Sequence, residues 1–308
     1  MKIYQTMPQI EQKVEKKKIP LNFRIIRWLF PKVEKISLSL SGKMFVYFFF
    51  KVFRLPINSR DKALLDQAKQ QTLKINGYDI QVYVWGEGKP ILLVHGWMGK
   101  VSQFSKFIEK FTQEGYACIS FDLVGHGKSE GNRTHLLEAS ELILEIQKQF
   151  GDFEMVVGHS LGGVASLLAL TKRKFSKKLM MIASPAIANE ILDGFCRNVN
   201  ASNKNYPYFL SWVQNQLGRD FYSFEAKQLV EKIEGVDLLL AYDTDDDQVS
   251  EENPKVMKQS YPSAKVIYTS GLGHNKIVRD ESVVSAAYDH LTKSENSTAP
   301  IEKKVAAI

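Results

Sequence analysis

The sequence predicts an α/β protein built on a mostly parallel central sheet with helices on both faces. Three observations carry that prediction. Short, β-branched apolar runs recur from residue 71 onward, stretches with helical spacing separate them, and glycine-containing loops follow several of the runs. Strands alternating with helices imply right-handed crossovers, and ligands in such sheets bind at the C-terminal ends of the strands.

The elements follow in order. Residues 72–86 (TLKINGYDIQVYVWG) read as two strands joined at Asn76-Gly77, the strongest short hairpin signal. PILLVHG (90–96) is a short apolar run with a glycine stop, as expected of a buried parallel strand. Residues 101–114 have helical spacing and YACISFDL (116–123) reads as the next strand. THLLEASELILEIQKQF (134–150) is an amphipathic helix with Leu136, Leu137, Leu142, Ile143 and Ile146 on its apolar side. A strand ending in MVVGHS and a helix from Leu161 follow, then the strand KLMMIAS (178–184). The alternation pauses over residues 187–233 and resumes with VDLLLAYD (236–243) and AKVIYTS (264–270). A last helix is expected over about residues 281–292, and a disordered tail over 294–308.

The chain has 308 residues, 44% hydrophobic and 24% charged, enough for a sizeable core. Its two cysteines, Cys118 and Cys196, are too few for a disulfide framework and suit a reducing compartment. The net charge of +7 is uneven: residues 1–60 hold 13 Lys and Arg against 3 Asp and Glu. The basic character therefore belongs to an N-terminal arm, residues 1–70, and no basic and aromatic nucleic-acid module is expected. Residues 1–20 lack the apolar stretch of a secretory signal, and Met44–Phe50 falls far short of the ~20 residues that span a bilayer. A cytoplasmic location is expected. The basic, aromatic stretch within residues 1–60 admits two readings. It lies on the inner face of a membrane as a peripheral contact, or it packs its aromatics on the main domain, the commoner fate of such stripes.

Gly158-His159-Ser160-Leu161-Gly162 matches G-x-S-x-G, with a strand before it and a helix after it. A turn that tight excludes side chains at the glycine positions and lifts the Ser160 hydroxyl above the sheet. A nucleophilic serine needs a base, and the base needs an orienting acid. Of six histidines, His95, His126 and His159 read as turn residues, and His135 and His290 sit on predicted helices with surface or capping roles. His274, in a glycine-rich loop after the last strand, is placed to reach the serine. The acid is expected between them, among Asp243, Asp245, Asp246 and Asp247 just beyond a strand. The same segment fails as a calcium loop, with Gln248 and Pro254 where glycine and glutamate are required. Two amides can serve an oxyanion: Leu161 at the helix start and Trp97 in HGWMG (95–99).

Taken together, LLVHGWMG (92–99), FDLVGHGKSEG (121–131), VVGHSLGG (156–163), LLLAYDTDDDQV (238–249) and SGLGHNKI (270–277) resemble the α/β-hydrolase fold family, in that family's order, across about residues 78–292. The resemblance implies Ser160 as nucleophile, His274 as base, and the amides of Trp97 and Leu161 as the oxyanion hole. The family's acid loop places glycine, two residues, Asp, two residues, Val; Asp243 stands at the glycine and Val249 at the valine, which selects Asp246. It also implies a core over 71–186 and 234–293 and a small helical cap over 187–233, rich in aromatics from Tyr206 to Phe224 that suit an apolar substrate group. The arm with HGW is similar to a bacterial subgroup of serine hydrolases, a likeness that offers no substrate. The expected activity is cofactor-free and metal-free hydrolysis of a small-molecule ester, of carboxylesterase or lipase type, with thioester or amide within reach of the same parts. The competing expectation is a non-catalytic ligand- or lipid-binding module on the same fold.

Overall fold

A computed structural model describes residues 21–293. The first 20 residues of the arm and the expected disordered tail, 294–308, lie outside the described residues. The sheet contains β1 (Lys69–Ile75), β2 (Tyr78–Trp85), β3 (Lys89–Val94), β4 (Tyr116–Phe121), β5 (Met155–His159), β6 (Lys178–Ile182), β7 (Asp237–Asp243) and β8 (Lys265–Thr269). They lie in the order β1-β2-β4-β3-β5-β6-β7-β8. β2 runs antiparallel to both of its neighbours, and every later pairing is parallel. The β1–β2 hairpin turns at Asn76-Gly77, where φ is +50° and +88°, the twist that matches two right-twisted strands.

Side chains alternate strictly across the sheet. In β3, Leu92 and Val94 join one apolar layer while Ile91 and Leu93 join the other; in β5, Val156 faces the first and Met155 and Val157 the second. Apolar residues on both faces require cover on both faces. α5 (Leu136–Phe150) and α6 (Leu161–Lys172) supply it on the first, and α4 (Ser105–Gln113) and α12 (Glu281–Thr292) on the second. A 3-10 turn, Val101–Phe104, precedes α4, so the expected 101–114 helix has two parts. His135 caps α5 by accepting the Glu138 amide at 3.2 Å. His290 on α12 is buried rather than on the surface, because α12 lies against β6 and β7; its Nε2–H donates to the Asp237 carbonyl at 3.1 Å. Both cysteines are free, and burial pushes the Cys118 thiol up to about 12.

Between β6 and β7 the chain forms α7 (Ala188–Val199), α8 (Tyr206–Leu217) and the one-turn α9 (Ala226–Leu229); α10 (Glu252–Ser260) and the one-turn α11 (Gly273–Lys276) flank β8. The arm contributes α1 (Leu21–Ile36), α2 (Leu38–Phe50) and α3 (Ser59–Asp66). Its aromatics do bury, but against the helices of the β6–β7 insertion. Phe45 meets Phe195 and Phe209 with ring centroids 4.8 and 5.5 Å apart, and Phe49 meets Phe209 at 4.6 Å. The physical reason is complementarity: Phe195 of α7 and the aromatics of α8 form an apolar surface that the apolar side of α2 covers. Burying Phe45 or Phe209 contributes about 1.5–3 kcal/mol each.

Polar contacts fix the register of this packing. The Arg27 guanidinium donates to the carbonyls of Arg197 and Asn198 (2.5 and 2.8 Å), capping the C-terminus of α7. Glu34 accepts from the Ser202 amide, the Ser202 hydroxyl and the Asn205 side chain, which hold its carboxyl below the usual range against the opposing effect of burial. Further along, Arg54 donates to the carbonyls of His126, Gly127, Ser129 and Gly131, and buried Asp61 accepts from Lys100 (2.5 Å) and Ser102 (2.7 Å). The arm thus grips both the insertion and the loops beside β3 and β4.

Candidate active site

Ser160 sits at the junction of β5 and α6 with φ +53° and ψ −122°, a conformation costly for a residue with a Cβ. The surrounding chain enforces it. A Cβ on Gly158 would lie 2.4 Å from the Gly163 Cα, and one on Gly162 would lie 2.2 Å from the Val94 carbonyl oxygen. The Ser160 amide is pinned to the Ile182 carbonyl at 2.9 Å. With the backbone held on both sides, the side chain projects from the C-terminal edge of the sheet at the N-terminus of α6, where developing negative charge is favoured.

His274 lies in α11, a single helical turn, and not in an extended loop as its glycines suggested. Gly271 and Gly273, with φ +80° and +61°, turn the chain sharply enough after β8 for that turn to close. Its Nδ1 stands 2.8 Å from Asp246 Oδ2. The other oxygen of Asp246 accepts the amides of Gln248 and Val249 at 2.8 and 3.0 Å, so this carboxylate has donors on both sides. A carboxylate at Nδ1 selects the tautomer with hydrogen there and leaves Nε2 as the acceptor. Among the four aspartates of this loop, only Asp246 reaches the imidazole. Asp245 instead accepts from the Ser270 hydroxyl and the Gly271 amide, bonds that hold its carboxyl below the usual range. Asp243, buried at the end of β7, bonds the turn that leads to His274.

The Ser160 and His274 segments meet through His159. Its Nε2–H donates to the His274 carbonyl at 2.8 Å, and its Nδ1 accepts from Gln103 at 2.9 Å. Gly96, in the loop after β3, packs so close that a Cβ there would stand 2.9 Å from the Ser160 Cβ and 3.5 Å from the Leu161 nitrogen. The next amide along is that of Trp97. Among the described residues neither the Trp97 nor the Leu161 amide has an acceptor in the protein. Met98, at φ +53°, donates its amide to His126 Nε2 at 2.9 Å, and His126 Nδ1–H donates to the Val124 carbonyl at 3.0 Å. The GHGKS turn therefore holds the 95–99 loop in place. Burial, and then a neighbouring histidine, pushes both His126 and His159 down to about 3, so both are neutral scaffolding.

The structure brings all five residues singled out in the sequence to one edge of the sheet. It adds Gln103, His126, His159 and Asp243 as supports. Of these, Asp243, His126 and His159 carried a visible signal, since each lies within one of the family-like motifs; Gln103 carried none.

A family model described as "Serine aminopeptidase, S33" matches residues 88–296, more than half of the chain. The chain belongs to this family of α/β hydrolases. Among relatives of this hydrolase, the pimeloyl-[acyl-carrier protein] methyl ester esterase of Legionella pneumophila is 28% identical over 155 residues, which are 46% of this chain and 62% of that protein. The monoacylglycerol lipase of Mycolicibacterium smegmatis is 25% identical over 105 residues, 32% of this chain and 38% of that protein. The chain thus spans less than two thirds of the length of either relative. Among solved structures, an esterase of Pyrococcus furiosus shares the fold with a TM-score of 0.59 at 17% identity, covering 79% of this chain and 96% of that one.

Proposed function

We propose that this hydrolase cleaves esters with an apolar acyl group, as a carboxylesterase or lipase-like enzyme, through a Ser160–His274–Asp246 triad. The observation that carries the reading is the 2.8 Å bond from His274 to Asp246 beside a serine held at φ +53°. Ser160 Oγ attacks the ester carbonyl while His274 Nε2 takes its proton, and Asp246 stabilises the imidazolium that forms. The amides of Trp97 and Leu161 meet the negative charge on the tetrahedral oxygen; losing one such donor typically costs about 10²–10³ in rate. His274 then protonates the leaving alcohol, and water resolves the acyl-enzyme by the reverse route.

The preference for apolar acyl groups rests on the esterase and lipase relatives named above, since the insertion aromatics Phe209 and Phe221 pack against Phe45 and Phe49 of the arm. The same chemistry would serve a thioester or an amide. Labelling with a fluorophosphonate probe tests the mechanism. Wild type is expected to label and Ser160→Ala to remain unlabelled, after which a p-nitrophenyl ester series of increasing chain length defines the pocket. Folded wild type that refuses the probe, under conditions where the small ester is also untouched, would instead favour a non-catalytic binding module.

A further inference from the structure

We propose that the outward face of α1 and α2 docks on an anionic phospholipid surface. Among the described residues, nine of the eleven exposed large apolar side chains lie between Ile25 and Ile57, so this exposure is concentrated in the arm. α1 has two apolar sides. Ile26 and Phe30 are buried, whereas Ile25, Trp28, Leu29 and Ile36 face outward, with Trp28 64% and Ile36 83% exposed. On α2, Leu38, Leu40 and Tyr47 continue the same exposure. An apolar concentration of this kind marks a docking surface rather than scattered surface hydrophobics.

Charge identifies the occupant. Over residues 21–60 the chain has eight Lys and Arg and a single acid, Glu34. Glu34 is already engaged by Ser202 and Asn205 on the insertion side. Exposed Arg24, Lys32, Lys35 and Lys43 border the apolar residues, and Lys32 Nζ sits 3.1 Å above the Trp28 ring. In the sequence, Lys16-Lys17-Lys18 precede α1. Cations around exposed Trp, Tyr, Leu and Ile are the chemistry of the bilayer interface, where apolar rings enter the headgroup layer and each lysine adds attraction to anionic lipid. No described helix is long and apolar enough to cross a membrane, so the helices lie on the surface and do not span it. The opposite side of the same helices holds α7 and α8, so docking would bring the β6–β7 insertion to the lipid. The proposal stands without the hydrolase reading, and its test needs no activity.

Co-flotation of the full chain with vesicles of phosphatidylcholine, with or without phosphatidylglycerol, tests it. Binding is expected to the mixed vesicles, to weaken as salt rises, and to be at least about tenfold weaker for Lys35→Glu combined with Lys43→Glu. Ile36→Glu combined with Leu40→Glu, at side chains already in solvent, is expected to lose binding while keeping the wild-type melting temperature. Equal flotation of wild type and both double variants would overturn the proposal, as would no flotation of wild type. Light scattering that shows a dimer dispersed by Ile36→Glu would assign the face to a second copy of the chain, which also overturns it.

Discussion

The Asp243 carboxylate accepts the backbone amide of Gly273 at 2.8 Å, one residue ahead of His274. It also takes the Thr269 hydroxyl at 2.6 Å and the amides of Asp245 and Leu272 at 3.0 and 3.2 Å. One buried group thus joins the turn that carries Asp246 to the turn that carries His274. A glycine at this position, as the α/β-hydrolase pattern has, would make none of these bonds.

Asp243→Ala is therefore expected to loosen the base without touching substrate. Misplacement by about 1 Å costs on the order of 10² in rate, so kcat on a p-nitrophenyl ester should fall about 10- to 100-fold, with KM within about twofold. Asp243→Asn keeps an acceptor oxygen and should recover part of the loss. Unchanged kcat per folded molecule in both variants would show that Asp243 supports only the fold.

The strain at Ser160 predicts an exchange of stability for function. Ser160→Gly relieves a backbone conformation that costs about 1–3 kcal/mol, whereas Ser160→Ala keeps it. Both variants lose the hydroxyl. Ser160→Gly should nevertheless be about 1 kcal/mol more stable than Ser160→Ala in urea unfolding, after the entropy that glycine adds to the unfolded chain is subtracted. The opposite ranking would mean that the turn is not strained.

Acidification should destabilise the fold well above the carboxylate range. His126 and His159 are held near 3 in the folded chain, against an ordinary value of 6.5. Between those values the unfolded chain binds protons that the folded chain refuses, so unfolding gains as pH falls. Their contribution is complete above about pH 6.5 and is lost towards pH 3, at up to about 1.4 kcal/mol per pH unit for each histidine. Thermal melts at pH 7.5 and 5.0 check this; equal midpoints would contradict it.

Gly42→Ala separates local preference from packing. In a free helix the change favours folding by about 1 kcal/mol. Here an added Cβ would stand 2.4 Å from Tyr208 Cγ, so α2 must move away from α8. A net loss of about 1–2 kcal/mol is expected in chemical unfolding, since overpacking outweighs propensity.

Much of this was legible in the linear pattern. Periodicity marked the strands from β1 to β8, because burial on both sheet faces demands continuous apolar runs such as Ile91–Val94 and Met155–Val157. Turn chemistry marked Asn76-Gly77 and the G-x-S-x-G corner, because both require backbone conformations few residues adopt. These signals are local, and a sequence displays local constraints directly.

What the tertiary structure decided joins residues far apart in the chain. Asp243, Asp245, Asp246 and Asp247 are chemically alike; the spacing of the family's acid loop pointed to Asp246, and the meeting of two turns supplies its bond to His274. His159 and Gln103, Arg27 and the end of α7, and Phe45 and Phe209 are likewise brought together by folding. A hydrogen bond or ring contact over such separations leaves no period and no motif, since either partner alone reads as an ordinary polar or aromatic residue. The sequence by itself determined the elements and the chemistry at their ends; the fold decided which side chains share that chemistry, and that the arm packs one face on the insertion and leaves the other open.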